Sequence, residues 1–388
     1  MNRVGFDARV VFSYAFRPFF LLAGAFALLA IPAWGLHLGG WLGWPDHLPA
    51  MVRHGHEMLF GFAGAAIAGF LLTAVATWTG RPAVAGTPLL SLAGLWLAAR
   101  VGAFIPAWGL LWGSASVLFW GYLLALMARE LTVTRNRRNY KVLFLLAGFL
   151  AAEVYFFLPH PDPLAGKETA LRLGLTLVIG MILLVGGRII PSFTQNWLRL
   201  HRPELTVSLP PFGGFDALAV ALGAGYGLAF VIHPQGTGTG LLGFLAAALQ
   251  LARLLRWRGW LAAREPLLWV LHLGYGWIPI GLVLLGASAL VPGPTLWDAG
   301  LHALGYGAIG TLILGVAARV ALGHTGRPLR AFPPLTWAFA LMTLGTACRL
   351  FAFPGGWLMA LSVVLWFGAY SLFLGRYLPI LLAPRLDS

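Results

Sequence analysis

The chain has 388 residues, of which 59% are hydrophobic and only 10% charged, with 50 glycines and 17 tryptophans. Soluble globular domains carry about 25% charged residues, so this composition describes a polytopic membrane protein. The net charge of +14 does not indicate nucleic acid, because the cations punctuate apolar stretches and form no basic face.

One cysteine, Cys348, lies inside an apolar stretch, which excludes an intramolecular disulfide and a cysteine-based zinc or iron–sulfur centre. The first apolar stretch is about twenty residues long, which suits a retained helix better than a cleaved signal peptide. No P-loop, GxSxG, HExxH or CxxCH is present.

A membrane crossing needs about 20 residues. The apolar stretches predict an all-α protein of twelve spans, in one integral membrane domain covering 1–388. The spans lie near 18–38, 57–78, 87–107, 109–128, 141–158, 170–191, 213–232, 238–257, 266–290, 298–320, 333–353 and 357–382. An even number puts both termini on one side, and the cations choose that side. Eighteen of the 26 Lys and Arg residues, Arg3 and Arg253 among them, fall on segments expected inside. Arg53, Lys167 and Arg172 fall on segments expected outside. The termini are therefore expected in the cytoplasm.

Span 2 opens on His54-Gly55-His56-Glu57 and closes on Thr79-Gly80-Arg81-Pro82. Span 10 repeats the pattern from His302 to Thr325-Gly326-Arg327-Pro328. Without gaps, 56–82 and 302–328 share nine of 27 residues. After a three-residue shift, Ala99-Arg100 aligns with Cys348-Arg349, Phe104 with Phe353 and Trp108 with Trp357. Spans 2–4 thus match spans 10–12, as repeat units near 53–128 and 299–382. A fainter echo near 170–258 points to three four-helix units about a pseudo-threefold axis.

Of the ten histidines, His37, His47, His160, His201 and His233 fall at span ends or in loops, where solvated side chains are the plain reading. His54 and His56 stand at the start of an apolar span. An unsatisfied polar group in lipid costs several kcal/mol, so each needs a partner. A hydrogen-bonded cap with Glu57 is one reading, and ligation of metal or haem by neutral imidazole is the other. The i, i+2 spacing puts the two on different helix faces. His302 stands at the depth of His56, and two such imidazoles would hold a flat macrocycle between helices through axial bonds. Gly61, Gly64, Gly69, Gly307, Gly310 and Gly315 would give it room, or else serve close helix packing.

Arg53 is a nearby cation for haem propionates. His272, in an apolar span, and His324, beside the second TGRP turn, are expected closer to the cytoplasm than His54, His56 and His302. Arg100, Arg188, Arg319 and Arg349 are costly against lipid, about 2.5–3.5 kcal/mol each at mid-membrane, and should face the interior or snorkel.

Several of these stretches resemble the NnrS family. They are Arg17-Pro-Phe-Phe20, His54 through Phe62, Gly69 through Ala74, Trp78 through Pro82, Gly187 through Pro191, Leu271 through Tyr275 and Leu322 through Arg327. The resemblance covers nearly the whole chain. It implies a bacterial inner-membrane protein containing haem and copper, linked to nitric oxide and to protection from nitrosative stress. On this reading a b-type haem sits between His56 and His302. Copper or a second haem involves His54, His272 and His324. The partners are nitric oxide or a related small molecule, the lipid bilayer and an electron donor. The competing reading is a transporter built from internal repeats without redox chemistry. Twelve spans also resemble the main subunit of haem–copper oxidases, but span 6 has no histidine where those enzymes bind copper.

Overall fold

The computed structural model describes residues 7–43, 48–291, 293–352 and 356–386. Arg3, His47 and Phe353, which entered the sequence argument, lie outside the described residues. Twelve helices of 18 residues or more follow one another, and no strand occurs among the described residues. They are α1 Phe16–Leu38, α2 Ala50–Thr79, α3 Thr87–Phe104, α4 Gly109–Val133, α5 Tyr140–Phe157 and α6 Pro163–His201. The chain continues through α7 Gly214–Ile232, α8 Thr237–Arg256, α9 Pro266–Leu290, α10 Pro294–His324, α11 Pro333–Leu350 and α12 Trp357–Leu382. Eleven are long and apolar enough to cross a membrane. The exception, α11, begins with Pro333-Pro334 and carries Arg349, which makes it the least apolar. The protein is a multi-pass, all-α membrane protein.

Internal contacts divide the chain into two units. One comprises Met1–Leu177, Ala317–Pro328 and Phe373–Ser388, and the other Val178–Val316 and Leu329–Leu372. In the first, α2 packs on α1 and α4, and α4 also packs on α3 and α5. Trp120 of α4 stacks flat on Phe149 of α5, with ring centres 4.4 Å apart. In the second, α8 lies between α7 and α9, and α9 packs along α10.

Helices α2, α6 and α10 share an irregularity. Each contains a π-helical stretch, at Glu57–Phe62, Ile182–Gly186 and Ala303–Gly310. Two of the three stretches begin directly after a repeat histidine, His56 or His302, and the third begins after Met181. A π turn breaks the i→i−4 ladder and leaves carbonyls to be satisfied. Within a bilayer water does not do this, so protein groups must. In each stretch a buried side chain donates to one carbonyl. Trp96 Nε1 reaches the Gly61 oxygen at 2.9 Å, Arg253 Nη1 the Leu183 oxygen at 2.8 Å, and the Tyr370 hydroxyl the Gly310 oxygen at 3.0 Å. The stretches recur at every fourth helix.

The repeated turns also match. Gly80 and Gly326 hold φ of 68° and 69°, the left-handed region that ends a helix without a Cβ clash. Arg17, near the start of α1, donates Nη1 to the Leu381 carbonyl at 2.8 Å, at the end of α12. The start of the first helix and the end of the last therefore meet.

Replacing Gly80 or Gly326 by alanine should cost about 1 kcal/mol each through the left-handed backbone. Gly94, which is helical with open space around it, should accept alanine without loss. Thermal unfolding in detergent compares the three.

Candidate functional site

In the first unit, His56 is fully buried and held at both ring nitrogens. Nδ1 is 3.0 Å from Glu57 Oε1, and Nε2 is 3.1 Å from Glu153 Oε1 on α5. The other oxygen of Glu57 accepts from Arg100 Nη1 of α3 at 2.8 Å, and Arg100 Nη2 donates to Ser116 Oγ of α4 at 3.0 Å. One network thus fastens four helices. Gly61 makes it possible, because a Cβ there would collide with Arg100 Nη1. Phe60, Trp112, Phe156 and Phe157 wall the imidazole in, with ring centres 4.5–5.6 Å away.

The protons of this network can be counted. A neutral imidazole has one N–H and one lone pair, yet both nitrogens face carboxyl oxygens. The ring is therefore an imidazolium between two carboxylates, or one carboxyl carries the missing proton. With an imidazolium, His56 and Arg100 balance Glu57 and Glu153. Arg53, 4% exposed and 5.0 Å over the Trp112 ring, also acts on Glu57. Beside the imidazole, Glu153 Oε2 and Trp112 Nε1 are buried without a hydrogen-bond partner among the described residues.

In the second unit, the repeat equivalents make a looser version. His302 donates Nδ1–H to the Asp298 carbonyl at 2.8 Å, with Asp298 Oδ1 at 3.2 Å. Arg349 grips Asp298 with a fork, Nη1 to Oδ2 at 2.7 Å and Nη2 to Oδ1 at 3.1 Å. The two aligned arginines, Arg100 and Arg349, thus each hold a carboxylate that touches the repeat histidine. The carboxylate itself has moved, from the residue after the histidine to four residues before it. The second site is more open, with 19% of the His302 side chain and 33% of the Asp298 side chain exposed. His302 Nε2 makes no hydrogen bond among the described residues.

His272 of α9 sits 2.9 Å from Thr194 Oγ1 through Nε2. Thr194 gives its hydroxyl proton to the Ile190 carbonyl at 3.0 Å, so it accepts from His272. Nδ1 is left as a bare lone pair, buried and without a partner. Gly259 lies so close that a Cβ would strike the ring.

The structure separates several histidines that the sequence grouped. His54 stacks on Trp34 at 4.6 Å, whereas His324 packs on Tyr14 and on Phe16 at 5.7 Å. Trp34 and Phe16 are 18 residues apart on α1, roughly 27 Å at 1.5 Å per residue, so His54 and His324 cannot share one metal ion. In the second unit, Gly281 packs at the level of Gly300 and Leu304. His272, nine residues before Gly281, is therefore roughly 14 Å along α9 from the level of His302. Among the described residues no three His, Cys, Asp or Glu side chains group to hold a metal.

The space beside the six repeat glycines is taken by protein, which corrects the expectation of room for a macrocycle. Gly61 faces Arg100 and Gly64 faces Trp120, Gly69 abuts Phe19, Gly307 faces Trp277, Gly310 faces Trp366 and Gly315 abuts Val270.

Three residues of these networks were missed from sequence. Glu153 lies 97 residues from His56, and its only signal is a carboxylate inside an apolar run. Asp298 stands four residues before His302, a spacing that could have been noticed. Arg253, counted as a loop cation, is fully buried. Its Nε meets Asp216 Oδ1 at 2.8 Å and its Nη1 meets the Tyr275 hydroxyl at 3.1 Å.

These features define a class: an all-helical membrane protein built on repeats, with charged clusters and imidazoles held inside π-interrupted spans. A family model described as NnrS protein matches residues 10–385, and the chain belongs to the NnrS family. Membership relates it to nitric oxide. Comparison with curated proteins found no match.

Removing Arg100 strands a buried carboxylate, whereas Asp298 has solvent to turn to. Arg100→Met should cost about 3–5 kcal/mol. Arg349→Met should cost about 1 kcal/mol or less. Parallel unfolding curves test the order, and equal losses would contradict it.

Proposed function

We propose that the protein handles nitric oxide, or protects against nitrosative stress, as a haem- and copper-dependent redox protein. We place it in the bacterial inner membrane with both termini cytoplasmic, drawing electrons from a donor. The observation that carries this reading is His302. Its Nδ1–H is committed to Asp298, and Arg349 fixes Asp298 in turn. An imidazole oriented this way through one nitrogen presents the other as a metal ligand. The absence of a CxxCH motif implies a haem held without thioether bonds, as in a b-type site.

Haem, when bound, supplies an iron that changes valence and takes up nitric oxide. The chain's own residues do the rest. Asp298 sets the tautomer of His302, Arg349 holds Asp298, and Nε2 would be the nitrogen that holds the iron. His56 does not fit the second axial bond as placed, because Glu57 and Glu153 take both nitrogens and aromatic rings leave no face open. Of the two repeat histidines, His302 is therefore the one that would hold haem. Arg53, engaged with Trp112 and Glu57, is not assigned to a propionate. Copper is assigned to His272, whose bare Nδ1 is a suitable donor. His54 and His324 remain separate candidates.

A second reading, transport, draws support from the repeated spans interrupted at related positions. Absorbance and metal analysis of the purified full-length protein separate the two. We expect a Soret band that His302→Ala abolishes and His56→Ala retains, and copper that His272→Ala removes. Size-exclusion profiles confirm folding in each case. Colourless, metal-free protein would select the transporter, and an unchanged Soret band in His302→Ala would remove that residue from the site. Orientation is tested separately, since reporter fusions after Arg138 and Pro163 should report cytoplasm and periplasm.

A further inference from the structure

Apart from the histidine clusters, the second unit encloses an ionic group of its own. Arg253 of α8 is fully buried, and most of its donors are used. Nε donates to Asp216 Oδ1 of α7 at 2.8 Å, and Nη1 donates to the Leu183 carbonyl and the Tyr275 hydroxyl. The neighbouring groups are matched as well. Tyr275 gives its proton to Gln250 Oε1, and Gln250 Nε2 donates to the Ala219 carbonyl at 2.7 Å. The Gly213 N–H donates to Asp216 Oδ2 at 3.2 Å. Arg253 Nη2 is the exception, buried and without a hydrogen-bond partner among the described residues. A Cβ on Gly187 would strike it, so α6 brings bare backbone up to this nitrogen.

A buried charged donor left unmatched is costly and calls for an acceptor. Water would serve the N–H groups but would not answer the charge. Arg256, three residues further along α8, places Nη1 4.0 Å from Asp216 Oδ2. One carboxylate thus serves two guanidinium groups, and these three side chains keep one positive charge in excess. A monovalent anion answers both demands, and guanidinium N–H groups suit oxygen acceptors. The walls limit its size. The Phe212 and Trp257 rings lie 5.5 and 5.4 Å from the Arg253 guanidinium carbon, and the Arg256 guanidinium rides on Phe215 at 4.5 Å. The edge of the cluster is open, since 36% of the Arg256 side chain is exposed. Phe212 lies in the connection between α6 and α7, which Gln195 ties down through the Val207 carbonyl and the Leu209 N–H. That connection is what covers the buried guanidinium.

We propose that Arg253 and Arg256 bind a small monovalent oxyanion, of the size of nitrite or formate, beneath Phe212. This assignment goes beyond the nitric oxide reading and needs neither haem nor copper. Isothermal titration calorimetry of the full-length protein with sodium nitrite, in chloride buffer at constant ionic strength, measures it. One saturable site is expected, and formate should compete for it. Arg256→Gln should weaken the Kd about tenfold, the worth of one charge-assisted contact. Arg81→Gln, in the first unit, should leave it unchanged. His302→Ala should also leave it unchanged, which separates this site from any haem iron. No binding above the chloride background, full affinity in Arg256→Gln, or loss of binding in His302→Ala would overturn the proposal. If Arg256→Gln does not fold, arginine modification of the native chain by phenylglyoxal decides. Nitrite should protect Arg256, read by peptide mass spectrometry, and equal labelling with and without nitrite overturns the site.

Discussion

A polar backbone group inside a bilayer has no water to turn to. That constraint shapes this protein wherever its helices depart from regularity. The π stretches in α2, α6 and α10 release carbonyls, and each stretch has an indole, guanidinium or phenol placed against one of them. The donors come from different helices, α3, α8 and α12. The breaks are therefore what key distant spans to one another. A uniform α-helix would satisfy itself and give its neighbours nothing polar to recognise.

Duplication supplied two copies of one local plan, and the copies have diverged in exposure rather than in logic. Both use histidine, carboxylate and arginine in series. Around His56 the carboxylates come from two helices and aromatic rings close the site. Around His302 a single aspartate serves, one imidazole nitrogen stays available, and solvent reaches the group. Small displacements of the acid, from Glu57 to Asp298, decide whether the same imidazole ties helices together or faces outward. The turns diverged in the same manner, with Arg81 neutralised by Glu130 and Arg327 set near Arg376.

The helical frame was legible because apolar length is a local property. The ranges 266–290 and 357–382 match α9 and α12, and the repeat follows from residues that recur in order. The starts of α2, α6 and α10 were read four to seven residues late, because their first turns, after Pro49, at Pro163 and at Pro294, carry polar residues that read as loop. Long-range pairing was not legible. Nothing near His56 announces Glu153, and Arg253 reads as a boundary cation although three helices enclose it. The grouping of the histidines was not legible, since depth along a helix fixes which of them can meet. His54 and His324 both touch α1, at opposite ends.

The contact between Arg17 and the end of α12 has a consequence for assembly. The two partners are separated by 364 residues. At about 5–20 residues per second, ribosomal synthesis leaves Arg17 waiting roughly 20 to 70 s for the carbonyls it will finally bind. During that interval the first helix enters the bilayer with a cation at its threshold and must lean on headgroups or on the insertion machinery. The last turn of the nascent chain then acts as a latch, so a ribosome that stops short of α12 leaves the first helix without its closing partner.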